Sequence, residues 1–500
     1  MSDLAAFGRL IGAAWRLVRA DALIPREIDH LLPPAGLAAA KTLRLFSGRA
    51  ARSGRPGERV ARVLETLGPA GIKLGQLLST RADIFGDVFA TDLSHLKDHL
   101  DPFPLPLARA EIARSLGVAP EALFAEIEPA IAAASIAQAH PARLLDGRKV
   151  AIKVLRPGIE ERVARDAATA ALAARLVERW APPARRLEPR ALVATVVRSL
   201  QLELDLRLEA GGASELKDVM ALDGYMAAPT VIWEGVGKRV LTLTWANGMA
   251  LSDPAALDLV GVDRASTAIK LVQAFLAQAL DHGVFHADLH EGNLFLEAPD
   301  RLTAVDFGII GRISPGERKY LAEILWGFIN RDYARVAQTH FDAGYVPKHQ
   351  SVELFAQALR AVGEPVAGRS ADAVSMGRLL TQLFEITALF EMRLRPELVL
   401  LQKTMVAVEG VGRRLDPNLD LWEAAKPIVR RYIARELSPI AKTREYLDDI
   451  RMALRAIIQM ADRDVVAPVV VVPERRGFGW LWFLVGGLVT AAGFLAAELL

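Results

Sequence analysis

The sequence predicts an α+β, bilobal body with a helical extension at its N-terminus and a membrane-spanning helix at its C-terminus. Three observations carry this expectation. Strand-like alternation from about 105 to 160 is embedded among helical patterns, the chain after about 255 is largely helical with short strand-like runs, and an uncharged apolar stretch lies at the C-terminal end. Five hundred residues also exceed what one ordinary core holds, so two or more lobes are expected.

Residues 1–104 read as the helical extension. Phe7, Leu10, Ile11, Ala14, Trp15 and Val18 recur at helical spacing, with Arg9, Arg16 and Arg19 among them. Those arginines argue against a signal peptide and leave a helix that packs on its own domain or lies on a membrane surface. A strong helical pattern covers 56–100, and "DPFPLPL" then breaks the chain. Residues 105–247 form the smaller lobe. Its "DGRK" joins two runs of apolar alternation, the pattern of a β-hairpin. Two long helices are expected after Pro157–Gly158, at about 159–181 and 189–219. A second strand pair follows in "PTVIWEGVGKRVLTLTWANG", whose end reads as a hinge.

Residues 248–464 form the larger, helical lobe, with short strands near "GNLFLE" and "RLTAVDF" and helical pattern resuming by about Pro315. A proline-punctuated linker, 465–476, leads to the expected transmembrane helix, 477–498. Residues 477–497 as a helix would reach ~31 Å, close to the hydrocarbon thickness of a bilayer. Trp480 and Trp482 suit the interface, and Arg475 and Arg476 suggest that the preceding body lies on the cytoplasmic side of the membrane. Gly487 and Ala491 are spaced for helix–helix contact.

The 61 basic and 59 acidic residues nearly balance, which gives no support for nucleic-acid binding. With no cysteine, disulfide frameworks, thiolate metal sites and catalytic thiols are excluded.

The chemistry is concentrated in "HADLHEGNLF" at 286–295 and "VDFG" at 305–308. Together they fit the protein-kinase catalytic-loop pattern, with Asp288 and Asn293 five apart and Asp306 thirteen further on. A hard magnesium ion prefers oxygen ligands, which the Asp306 carboxylate and Asn293 amide can supply beside nucleotide phosphates. Asp288 stands where a base would take a proton from a hydroxyl or orient a water. Upstream, "VAIK" ends in Lys153, a candidate phosphate partner if a helix carboxylate fixes it. Glu203, Asp205 and Glu209 in "ELDLRLEA" are available. Glu203 and Glu209, six apart on one helix, would not share a face and should do different jobs.

The chain resembles the UbiB family of atypical kinase-like proteins over about residues 55–415. "GPAGIKLGQLLSTRADIF" at 68–85 looks like the family's KxGQ segment, with Lys73, Gly75 and Gln76. "AAASIAQAH" at 132–140 looks like its alanine-rich loop, and "ELDLRLEA" like its ExD segment, Glu203 and Asp205, followed by the lysine-pairing Glu209. Gly71 departs from the family, where an aromatic residue is common, and this leaves the local packing open.

The resemblance implies a protein-kinase-like fold whose extension folds over the site where a kinase would bind a peptide, with Lys73 pointing toward the ExD carboxylates. It implies ATP and Mg2+ as cofactors, with Ala132, Ala133, Ala134 and Ser135 at the phosphates. It further implies ATPase activity that supports ubiquinone biosynthesis. The partners implied are membrane lipids, ubiquinone precursors and other ubiquinone-biosynthesis proteins, with self-association left open. A phosphotransferase acting on a small molecule, lipid or protein, and a nucleotide-binding scaffold, are the alternatives. Ala287 leaves the catalytic loop without the arginine that reads an activation-loop phosphate. The short run from Gly308 to Pro315 leaves little chain to hold a peptide.

Overall fold

Asp146 and Gly147 make the turn expected between the first two long strands. Gly147 takes a φ of 86°, and the Asp146 carboxylate accepts the Arg148 N–H at 3.0 Å. The turn joins β3 (Ala137–Leu144) to β4 (Lys149–Leu155). In the order β1-β3-β4-β5, β1 (Phe124–Ile127) and β5 (Val240–Thr244) flank this hairpin, and β2 (Ala132–Ala133) also pairs with β3. All pairings are antiparallel. Val150, Ile152 and Val154 alternate inward on β4, in a core with Ile112 and Phe124. The computed structural model describes residues 3–23, 34–48, 54–79, 87–94, 101–180, 188–364, 386, 389–392 and 396–436.

The extension contains α1 (Asp3–Arg19), α2 (Pro34–Arg44), α3 (Pro56–Thr66), α4 (Pro69–Leu78) and α5 (Asp87–Ser94). Val60, Val63, Leu64, Phe89 and Leu93 form its own small core with Ala20 and Ala22. Gly71 has a packing reason there. A Cβ at this position would lie 2.3 Å from the Leu64 carbonyl oxygen and 2.8 Å from Leu67 Cβ, so α4 crosses α3 too closely for any side chain. Of the two readings of the first helix, packing on its own domain holds for part of α1. Val18 is buried and Arg9 donates to Thr169 at 3.1 Å, while Phe7, Ile11 and Trp15 are about half exposed.

The small lobe opens with α6 (Leu105–Leu116), held on the sheet by Arg239. Its guanidinium donates to the buried Glu111 carboxylate at 2.7 Å and to the Arg156 carbonyl at 2.9 Å. Beyond the hairpin runs α7 (Ile159–Trp180), close to the expected span. The expected single helix at 189–219 is instead two, α8 (Pro189–Glu203) and α9 (Leu206–Asp223). Asp205 breaks it. Its backbone is extended at φ −124°, and its carboxylate caps the new helix by accepting the Arg207 N–H at 3.2 Å. The second strand pair is also corrected. Only β5 is a strand there; Trp233–Gly235 forms a 3-10 turn, and Val231 makes an isolated bridge to Leu243.

The chain passes from β5 to β6 (Met249–Ala250) through Gly248, whose φ is 90° and whose Cβ would meet the Leu296 carbonyl oxygen at 2.3 Å. The large lobe contains α10 (Arg264–Ala277), the strands β7 (Val284–His286), β8 (Leu294–Glu297), β9 (Arg301–Ala304) and β10 (Ile310–Arg312), and α11 (Pro315–Ile329). Ser314 and Glu317 make a capping box at the start of α11, where the sequence has helical pattern resuming. Then follow α12 (Tyr333–Asp342), α13 (Val352–Gly363), α14 (Pro396–Leu415) and α15 (Leu421–Glu436). Strands β6, β8 and β9 form one small sheet, and β7 and β10 another. No described helix is long and apolar enough to cross a membrane. The expected linker 465–476 and transmembrane helix 477–498 lie outside the described residues.

Candidate functional site

Lys153 sits on β4 opposite Ala139 and Leu241, so both neighbouring strands fix its backbone. Its ammonium donates to both carboxylate oxygens of Glu209 at 2.8 and 2.9 Å, and to Asp306 Oδ1 at 3.1 Å. Three sequence-distant segments therefore meet at one cation. Burial works against the Lys153 charge, but Asp306 and then Glu209 overcome it and raise its pKa above the ordinary lysine value. Lys153 in turn holds Asp306 down to about 2. Burial pushes Glu209 up to about 7, because the attraction of Lys153 offsets its desolvation only in part and Asp306 repels it. Asp306 also has a φ of 62°, a left-handed conformation that an aspartate tolerates and that recurs at functional sites.

The catalytic loop is ordered from beneath by His286. This imidazole is fully buried; its Nδ1 accepts the Asp288 N–H and its Nε2–H donates to the Val305 carbonyl, both at 3.1 Å. That pattern requires the neutral ring, and burial lowers the His286 pKa accordingly. The Asn293 amide donates to the Asp288 carbonyl at 3.0 Å, and its backbone carbonyl accepts from Val305 at 2.9 Å. Among the described residues, no three His, Asp or Glu side chains are grouped to hold a metal by themselves. A carboxylate and an amide oxygen fit a magnesium ion whose remaining ligands are phosphate oxygens and water.

Of the three carboxylates in "ELDLRLEA", Glu209 takes Lys153, and Glu203 forms an ion pair with Lys73 of α4. Asp205 instead caps α9 and forms a two-pronged pair with Arg207 at 2.8 and 2.6 Å. Glu203 and Glu209 thus act on different partners, but because they lie on separate helices rather than on two faces of one.

The alanine-rich stretch forms the β2–β3 hairpin. Ala132 is exposed, Ala133 and Ala134 are half-buried, and Ser135 and Ile136 are buried, with Ile136 in the same core as Ala70, Leu155 and Ile159. Arg156 donates to the Ala134 carbonyl at 2.9 Å and to the Asp101 carbonyl at 3.0 Å. Gln138 exchanges hydrogen bonds with both backbone groups of Phe103, at 2.8 and 3.1 Å. The tip is drawn inward and the stem is tied to the chain that descends from the extension.

Helix α14 brings residues that the sequence did not single out. Thr404 is buried, and its single hydroxyl proton is shared between the Ala287 carbonyl at 3.1 Å and the Leu400 carbonyl of its own helix at 2.9 Å; Lys403 lies 3.6 Å from Asp288 Oδ1; Arg414 pairs with Glu291. They lie more than 110 residues beyond the loop they touch, so no local spacing points to them. The one available signal is a threonine inside the apolar run "LVLLQKTMVAV".

This arrangement of lysine, helix carboxylate, catalytic loop and DFG aspartate defines a protein-kinase-like site, and comparison with known proteins gives the same class. Residues 95–340 match the ABC1 atypical kinase-like domain, and residues 359–420 match the UbiB helical domain. A curated relative from Marinobacter nauticus, described as "Probable protein kinase UbiB", is 40% identical over 388 residues, covering 77% of this chain and 71% of its own length. One from Xanthomonas campestris pv. campestris with the same description is 38% identical over 417 residues, covering 81% and 74%. The chain belongs to the UbiB family. A solved structure of Rv3197 with erythromycin from Mycobacterium tuberculosis aligns over 79% of this chain and 97% of its own, with a TM-score of 0.51 at 21% identity, which supports the fold.

Proposed function

We propose that this protein binds ATP with magnesium and hydrolyses it, and that the reaction supports ubiquinone biosynthesis at a membrane. The observation that carries the reading is Lys153 held between Glu209 and Asp306, next to a loop bearing Asp288 and Asn293. Lys153 would receive nucleotide phosphates and Asp306 with Asn293 would hold the metal, which would neutralise phosphate charge when bound. Asp288 would take the proton of the attacking oxygen.

Hydrolysis is favoured over phosphorylation of a peptide by the chain after Gly308. Strand β10 pairs with β7 from Ile310 to Arg312, and α11 begins at Pro315, so almost no free segment remains to bind a peptide. Attachment through 477–498, with the body on the cytoplasmic side of the inner membrane, and a role in making membrane lipid intermediates of the pathway accessible belong to the same proposal.

Single-turnover reactions with γ-labelled ATP and membrane extract test it. Label in inorganic phosphate is expected; label in a lipid or protein would favour transfer instead. Quinone content of a deletion strain carrying wild type or Asp306→Asn tests the pathway. Only the wild type should restore quinone, and an unchanged level in the deletion strain would sink the assignment.

A further inference from the structure

We infer that Lys403, in the C-terminal helical region, is a catalytic residue whose ammonium binds the γ-phosphate of ATP beside Asp288. The inference rests on the ATP-hydrolysing reading above. The segment 286–293 contains no lysine or arginine, so the catalytic loop brings no permanent cation of its own. His290, two residues after Asp288, uses Nδ1 to accept the Gly292 N–H at 3.0 Å, while its Nε2 is 3.8 Å from Asp288 Oδ2. The other Asp288 oxygen faces Lys403 at 3.6 Å.

That separation is longer than a hydrogen bond, and among the described residues Lys403 has no other charged or hydrogen-bonding partner. Its ammonium carries three donors, all available to a ligand. A half-exposed pair of this kind adds little to stability, since water screens it on both sides. Yet its placement is controlled. The next residue, Thr404, is fixed to the buried Ala287 carbonyl, and Arg414 pairs with Glu291, so α14 is tied to both ends of the segment 287–291. A cation carried on a braced helix and left unsaturated beside the proton-accepting carboxylate suits an anionic group that arrives with substrate.

In the transfer step, a bond forms between the oxygen of the attacking water and the γ-phosphorus. The bond from that phosphorus to the β,γ-bridging oxygen breaks, and its electron pair leaves with ADP. The water proton passes to Asp288 and from there to solvent. The Lys403 ammonium neutralises charge on the γ-phosphoryl oxygens as that group moves. Because ADP lacks the γ-phosphate, Lys403 should distinguish the two nucleotides.

The test uses the full-length protein with Lys403→Met, Lys403→Arg and Thr404→Val, each checked for thermal stability. Lys403→Met should lower kcat for phosphate release by roughly 100- to 1,000-fold, the loss typical of removing one electrostatic stabiliser. Its Mg·ADP affinity should stay within about twofold, while the preference for an imido-bridged ATP analogue over ADP should fall about tenfold. Lys403→Arg should recover much of both. A kcat within about threefold of wild type in Lys403→Met, or a loss of affinity equal for the analogue and ADP, would overturn the inference. If the wild type releases no phosphate, the hydrolysis reading fails by itself; an unchanged analogue-to-ADP preference in Lys403→Met would still overturn the role given to Lys403, because that ratio needs no turnover. Thr404→Val should reduce kcat without Lys403→Arg-type rescue; an unaffected kcat would remove the anchoring argument.

Discussion

Lys73 and Glu203, 130 residues apart in sequence, form an ion pair in which each side chain is about one-fifth exposed (19%). It joins the extension to α8, the helix immediately before the one that carries the lysine partner Glu209. The extension is thus held on an element adjoining the Lys153–Glu209 pair, and not only by apolar contact.

The pair can be weighed by a double-mutant cycle on Lys73→Met and Glu203→Gln. Each single change leaves a partly buried charge without its partner and should destabilise by about 1–3 kcal/mol, with a coupling of about 1 kcal/mol or more. Additive losses in denaturant unfolding would mean that the pair does not tie the extension down.

Glu209 makes a prediction about pH. Its carboxyl is raised to about 7 in the folded protein, against about 4.3 in an unfolded chain. Between these values the folded protein holds a proton that the unfolded chain has released. The residue's contribution to stability is therefore complete below about pH 4.3 and is lost as pH rises through about 7. Asp306, lowered to about 2, acts in the opposite sense: its contribution is present at neutral pH and fails only in strong acid. The stability of wild type relative to Glu209→Gln should thus decline from about pH 5 to about pH 8. A pH-independent difference would contradict the raised carboxyl.

Asp205 is expected to matter for structure before chemistry. Asp205→Ala should cost about 1 kcal/mol through loss of the α9 cap, whereas Asp205→Asn should retain most of the cap and lose the Arg207 pair, a smaller effect. Equal losses would place the weight on the pair instead. Thermal unfolding of the two variants decides.

Gly71→Val should destabilise by about 3 kcal/mol or more, since its branched side chain would have to occupy the space of the Leu64 carbonyl and Leu67. Chemical denaturation checks this; a near-neutral effect would mean that α3 and α4 can separate freely.

What could be read in the sequence divides along physical lines. The Asp146–Gly147 turn, the start of α11 at Pro315, and the set Lys153, Asp288, Asn293 and Asp306 were legible because local spacing encodes them. The break at Asp205 was not. "SLQLELDLRLEAGGASEL" keeps helical periodicity across it, and only the capping geometry of one aspartate shows where the chain turns. The apolar alternation of "PTVIWEG" resembled a strand, yet Trp233–Gly235 winds into a 3-10 turn whose carbonyl at Gly235 accepts from Thr242 at 2.9 Å. Tertiary pairing decided there, not propensity. Gly71, a departure from the family by sequence, became intelligible only as a helix crossing.

The hydrogen bond from Thr404 to Ala287 also bears on modularity. The chain divides into a kinase-like match ending at residue 340 and a helical match beginning at 359. A fragment cut at that seam would leave the Ala287 carbonyl, on a residue only 1% exposed, without its hydroxyl donor and would strip the loop of its outer brace. The helical segment thus completes the polar contacts of the kinase-like segment in this chain.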